Sequence, residues 1–142
     1  YRQTMFAEFE LEANEMTRRG EGTTADALCA LYKKLNEQYF GPEMVVDDEI
    51  ALEWARIPHF YYDYYVYQYA TGYAAAIALS RRILRDGEAA VKDYLGFLSG
   101  GCSADPITLL RGAGVDMASP KPVEDATALF DSLIGEMEEL LK

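Results

Sequence analysis

Histidine is almost missing from this chain: His59 stands alone among 142 residues. Cysteine is scarce as well, with Cys29 and Cys102 far apart and no second ligand type beside either. This excludes a disulfide framework and a zinc knuckle, and a reducing, cytoplasmic setting is expected. Bases are outnumbered, 13 Lys and Arg against 24 Asp and Glu, for a net charge of −11. A surface of that sign repels phosphate, so nucleic acid is not an expected partner. No apolar run reaches the roughly 18 residues that a membrane-spanning helix needs, so no membrane partner is expected either. Alternating strand patterns, internal repeats and low-complexity tracts are also missing. No initiator Met, basic leader or apolar signal core precedes Tyr1-Arg2-Gln3. The expectation is a chain cut from inside a longer protein, with part of its chemistry elsewhere.

What is present is apolar residue at helical spacing. Half of the chain is hydrophobic, enough for a buried core, and its length fits one domain or a piece of one. Met5, Phe6, Phe9, Ala13 and Met16 recur at helical intervals over about residues 2–19, ended by Gly20 and Gly22. Thr23, with Asp26 three residues on, has the spacing of a capping box for a second helix. That helix carries Leu28, Leu31, Tyr32, Leu35 and Tyr39 on one face and ends at Gly41-Pro42. A short helix of two turns is expected over 47–55. From Tyr61 to Arg85 no Gly-Pro or Asn-Gly interrupts the chain. One long helix is predicted there, its alanine-rich second half buried and Gly72 marking close packing. Val91, Tyr94, Leu95 and Leu98 form the stripe of a following helix. Asp105-Pro106 starts a short one. Val123, Ala126, Phe130, Leu133, Met137 and Leu140 line the last. The fold class is all-α, a helical bundle. Glu8, Glu10, Asp47, Asp48 and Glu49 are expected on solvated helix faces, and the cysteines as inert small hydrophobes.

Residues 57–73 are of another kind. Seven of the eleven tyrosines fall here, at 61, 62, 64, 65, 67, 69 and 73, together with the only histidine. On a helix, Tyr62, Tyr65, Tyr69 and Tyr73 share one face. A tyrosine ring buries well, but its hydroxyl needs a partner or water. Such a cluster suggests a wet or ligand-filled groove. A phenol with a pKa near 10 remains a neutral donor at pH 7 and can stabilise a carbonyl oxygen that gains negative charge.

Several stretches resemble the C-terminal portion of the oligoendopeptidase F family, bacterial relatives of thimet oligopeptidase among the zinc peptidases. They are Arg2-Gln3-Thr4-Met5-Phe6-Ala7-Glu8-Phe9-Glu10, Pro58-His59-Phe60-Tyr61-Tyr62, Tyr65-Val66-Tyr67-Gln68-Tyr69-Ala70-Thr71-Gly72, Phe97-Leu98-Ser99-Gly100-Gly101 and Gly112-Ala113-Gly114-Val115-Asp116. The resemblance runs in order through residues 1–142. It implies the C-terminal helical part of a mostly helical catalytic domain that cleaves short peptides in a channel. It implies zinc as cofactor, held by an H-E-x-x-H motif and a more distant Glu that lie upstream in the family. This chain has no H-E-x-x-H and names no metal ligand. The resemblance assigns Tyr62 and Tyr69 as catalytic donors to the oxyanion and His59 to the bound peptide, with Tyr65 and Tyr67 along the substrate channel. Where thimet-type relatives link His to Tyr by a glycine-rich loop, this sequence has only Phe60 and Tyr61, which implies a less mobile loop. The implied partners are a short peptide substrate and the missing N-terminal part of the same enzyme. Alone, the chain is expected to be inactive and to self-associate through uncovered apolar faces.

Two other readings stay open on the residues alone. One is a non-catalytic all-α module that binds a peptide or partner helix through the tyrosine groove. The other is a bundle whose tyrosines merely pack. An H-E-x-x-H upstream separates the peptidase from both.

Overall fold

The structure, a computed structural model, describes all 142 residues, Tyr1–Lys142. It is all-α: α1 (Arg2–Arg18), α2 (Ala25–Phe40), two 3₁₀ helices at Glu49–Arg56 and Pro58–Tyr61, α3 (Tyr67–Asp86), α4 (Glu88–Ser99), α5 (Pro106–Gly112) and α6 (Lys121–Leu140). The chain divides into two compact units, Tyr1–Ala70 and Thr71–Lys142, with the boundary in the first turns of α3. No helix is long and apolar enough to cross a membrane.

In the first unit, α1 packs on α2, and α2 on the first 3₁₀ helix. The predicted stripes meet here. Met5, Phe6 and Phe9 of α1 and Tyr32 and Leu35 of α2 are buried, joined by Ile57 and Val66. Leu28, Leu31, Tyr39, Trp54 and Phe60 pack around them. The cap of α2 is Thr24, not Thr23: its Oγ1 accepts from the Ala27 N–H at 3.2 Å. Moving the cap by one residue removes the capping-box relation to Asp26, which serves only as a first-turn acid. At the other end Gly41 adopts a positive φ of 75° that closes the helix.

A polar group is built into the edge of this core. Glu53 accepts from the buried Tyr32 hydroxyl at 2.6 Å, from Arg2 at 2.7 Å and from Arg56 at 2.5 Å. Burial alone raises its carboxyl pKa, but hydrogen bonds from Tyr32 and Arg2 and the charges of Arg2 and Arg56 outweigh it, so the net shift is downward. Burial and Glu53 together push the Tyr32 phenol upward. A carboxyl held below its unfolded value of about 4.3 contributes stability above that pH and loses it as pH falls through the folded pKa. Glu53→Gln is therefore expected to cost about 1–3 kcal/mol near neutral pH. The gap between variant and parent in urea midpoint narrows below about pH 4. A gap constant from pH 7 to 3 contradicts this account.

In the second unit, Ala75 and Leu79 of α3 pack with Ala113 and Val115, surrounded by Ala78, Tyr94, Phe97, Leu110 and Met117. Arg82 ties this unit together, donating to Asp93 at 2.7 Å and to the Ala113 carbonyl at 2.7 Å. Gly114, at φ 79°, lets that guanidinium pass: a Cβ there would lie 2.7 Å from Arg82 Nε. Asp105 caps α5 as expected, accepting from the Thr108 N–H at 3.0 Å, with Pro106 at the first helical position.

One expectation about burial fails in this unit, and two apolar stripes stand uncovered. The alanine-rich half of α3 buries only Ala74, Ala75 and Leu79. The stripe expected on α4 is mostly outward: Val91, Leu95 and Leu98 are exposed, and Tyr94 and Phe97 face the core. On α6, Val123, Leu133, Met137 and Leu140 are exposed. Periodicity locates an apolar face correctly but does not say that this chain supplies its cover. Gly72 likewise meets nothing within 4 Å of a hypothetical Cβ.

Candidate functional site

The tyrosine-rich segment does not form the long helix that its lack of Gly-Pro and Asn-Gly punctuation predicts. Pro58 opens a single 3₁₀ turn that ends at Tyr61, and α3 begins only at Tyr67. Between them the backbone bends sharply, with Asp63 at φ 54° and Tyr64 at φ 59°. Left-handed backbone at non-glycine residues costs roughly 1–3 kcal/mol each and persists only where surrounding contacts impose it. Those contacts are visible. Ile57 and Val66 are buried, and Phe60 packs edge-on against Phe6 and Phe9 at 5.3 and 4.9 Å. The segment is thus pinned at 57, 60 and 66, and the polar aromatics between those pins turn outward.

The bend replaces the helical face with a tighter arrangement. His59, from the 3₁₀ turn, stacks on Tyr65 at 5.6 Å between ring centroids and meets Tyr62 at 5.8 Å and Tyr69 at 5.7 Å, both edge-on. Tyr65 in turn meets Tyr62 and Tyr69, each at 5.7 Å and near perpendicular. Edge-to-face spacing of this kind suits the ring quadrupoles. The cluster is open to solvent: Tyr62 is 56 % exposed and Tyr69 41 %. A hydrogen bond with the Tyr65 hydroxyl, aided by partial desolvation and by the nearby Tyr65 and Tyr62 phenols, raises the Tyr69 pKa above its ordinary value. Tyr69 therefore stays a protonated donor through neutral pH.

Four of the five residues assigned from sequence come together in this way: His59, Tyr62, Tyr65 and Tyr69. The fifth, Tyr67, is the first residue of α3 and is also exposed. Two residues from Tyr69 on a helix, its side chain diverges from that of Tyr69 by about 200°. Tyr73 falls in the second unit and is exposed.

Sequence reasoning missed one residue of this site. Glu10, expected on a solvated face, is 3 % exposed. Its carboxylate reaches the bend, accepting from the Tyr65 N–H through Oε1 and the Val66 N–H through Oε2, both at 3.1 Å. The signal was present: on a helical wheel Glu10 lies about 40° beyond Phe6, at the edge of the apolar stripe. The other acids expected in solvent divide. Glu8 accepts from Tyr39 at 2.5 Å, and burial and that bond push the Tyr39 phenol up to about 12. Asp48 is exposed and pairs with Lys33.

No group of three His, Cys, Asp or Glu side chains is placed to hold a metal ion. The residues of this chain do not fit a zinc site.

A model described as peptidase family M3 matches residues 1–129. Oligopeptidase PepF of Bacillus subtilis (strain 168) is 56 % identical over 141 residues, covering 99 % of this chain and 21 % of that protein. The chromosomal oligoendopeptidase F of Lactococcus lactis subsp. cremoris is 41 % identical over 142 residues, 100 % of this chain and 24 % of that protein. Among solved structures, the crystal structure of oligoendopeptidase-F from Enterococcus faecium superposes with a TM-score of 0.93 at 45 % identity, covering 99 % of this chain and 27 % of that one. The chain therefore spans about a fifth to a quarter of the length of these relatives.

Proposed function

This chain belongs to peptidase family M3, and from that premise we propose that it forms the C-terminal helical part of a longer oligoendopeptidase and supplies hydrogen-bonding groups to a short peptide substrate. One observation carries the assignment to this segment: His59, Tyr62, Tyr65 and Tyr69 converge within 5.6–5.8 Å while their rings stay reachable from solvent. A purely structural tyrosine cluster would be expected to bury its rings and exhaust its hydroxyls inside the core.

In this reading Tyr69 and Tyr62 donate to the scissile carbonyl oxygen as it gains charge in the tetrahedral intermediate. Each hydroxyl keeps its own proton and stabilises the developing oxyanion by hydrogen bonding. Tyr65 packs edge-on against Tyr69 at 5.7 Å and holds its ring in place. His59, stacked on Tyr65, bonds the peptide backbone and fixes its register, and Tyr67 lines the channel. The zinc that the family resemblance implies finds no ligands here. We assign its binding, and the activation of the attacking water, to residues outside this chain. The two free thiols agree with a cytoplasmic setting.

Catalysis by such a constellation is a joint property of its parts. The purified 142-residue chain is therefore expected to leave a quenched oligopeptide uncut under conditions in which the longer protein cleaves it. Its exposed Leu95, Leu98, Leu133 and Met137 should also drive self-association, seen by light scattering as a mass above the monomer. Chelator-sensitive cleavage by the chain alone overturns the division of labour, and a clean monomer overturns the second expectation.

A further inference from the structure

We propose that Glu10 is a positioning residue for the tyrosine cluster: its buried carboxylate fixes the backbone turn that presents Tyr65 and Tyr69. The proposal rests on the reading of Tyr69 as a donor to substrate, and it adds a residue from a different helix to that site.

The N–H groups just before a helix and in its first turn have no intrahelical partner. Just before α3 two of them, those of Tyr65 and Val66, donate to the two oxygens of Glu10, one each, at 3.1 Å. These bonds cross 55 and 56 positions of sequence and join α1 to the entry of α3. The next bonds pass the constraint on. The Val66 carbonyl accepts from the Tyr69 N–H at 3.2 Å, and the Tyr65 carbonyl from the Gln68 N–H at 3.4 Å. The backbone of Tyr69 therefore hangs from a residue that Glu10 holds. A carboxylate at a helix N-terminus also has the favoured charge for the helix dipole.

The bend gives this clamp something to hold. Asp63 and Tyr64 lie in the left-handed region, and neither is glycine. Without an external acceptor, the two N–H groups that follow would be satisfied more easily by a relaxed turn, which would swing Tyr62 and Tyr65 away from Tyr69. Val66, 1 % exposed, anchors the same point by packing, but packing alone does not orient a peptide plane. Glu10 does so with two directional, charge-assisted bonds. A glutamine there would set its NH₂ group against a backbone N–H.

The test uses the full-length enzyme. Glu10→Gln is expected to lower kcat by about tenfold to a hundredfold, the scale of a roughly 1 Å misplacement, with KM changed less than about twofold because the binding groups remain. In a Tyr69→Phe background, Glu10→Gln should add less than it costs alone, since part of its effect acts through the Tyr69 hydroxyl. Hydrogen exchange read by mass spectrometry should show lost protection over residues 62–69 with protection of 32–36 in α2 unchanged. Effects of Glu10→Gln and Tyr69→Phe that multiply, a kcat that does not move, or protection lost equally in α2 overturn the proposal. If Glu10→Gln does not fold, Glu10→Asp takes its place with the same readouts, and global loss of protection in both variants overturns it as well. Should Tyr69→Phe alone leave kcat unchanged, the reading of the site is at fault, and the exchange pattern still decides whether Glu10 holds the bend.

Discussion

Replacing Tyr69 by phenylalanine in the full-length enzyme is expected to lower kcat and kcat/KM together, by about 100–1,000-fold. The ring survives the substitution, so its edge-on contacts with His59 and Tyr65 at 5.7 Å are kept. Only the hydroxyl goes, and with it the donor that we propose acts mainly as charge appears on the substrate oxygen. A group that acts only in the transition state leaves KM near its parent value when removed. Tyr62→Phe is the companion measurement. It sits on the bend rather than on α3, across Tyr65 from Tyr69. A similar fall identifies a two-donor oxyanion site, and a fall under about threefold leaves Tyr69 as the single donor. An unchanged kcat in Tyr69→Phe removes the phenols from the chemistry and favours a peptide-binding groove instead.

How much of this was legible in the sequence depends on which physical signal each element rests on. The first unit was readable because its apolar stripes pack on one another: Phe9 and Tyr32, placed by spacing alone, meet ring to ring at 5.1 Å. The stripes of α4 and α6 were equally clear, yet they stand exposed, since spacing reports a face and says nothing of what covers it. The family was legible because the resemblance rested on ordered stretches along the whole chain, and the M3 model matches residues 1–129. The tyrosine face failed in form, and three of its four expected members, Tyr62, Tyr65 and Tyr69, are joined by ring contacts. The sequence predicts a continuous helix through Tyr61–Arg85, because no Gly-Pro or Asn-Gly interrupts it. The break falls instead at Asp63-Tyr64, where the sole local hint is an aspartate, a residue that tolerates left-handed backbone. The larger cause is tertiary: Glu10 and the buried Val66 impose a bend that no local pattern encodes. Helical offsets of 3 and 7 nonetheless gathered Tyr62, Tyr65 and Tyr69, because the bend brings the same rings together by another route.

The same dependence on the core beneath the site makes Phe9 the position where one substitution costs most in stability. Phe9 is 2 % exposed and touches rings from three other elements: Tyr32 of α2 at 5.1 Å, Trp54 of the first 3₁₀ helix at 6.2 Å and Phe60 of the second at 4.9 Å. Truncation to alanine removes the transfer energy of the ring and leaves a cavity that three rigid aromatics cannot easily close. The expected loss is about 3–5 kcal/mol, a large share of the 5–15 kcal/mol typical of a whole domain. Urea denaturation should report it as a lower midpoint at unchanged slope. Leu84→Ala, at a side chain 87 % exposed, serves as the control and should stay within about 0.5 kcal/mol. Because Phe60 rests on Phe9 and is covalently next to His59, the damage should reach the site by a defined path. Where Phe9→Ala is still folded, KM should rise more than kcat falls, since His59 is the group assigned to ground-state binding of the peptide. A loss under about 1 kcal/mol would mean that the neighbouring rings collapse into the space. An equal fall in kcat at constant KM would mean that the core supports the tyrosine donors rather than His59.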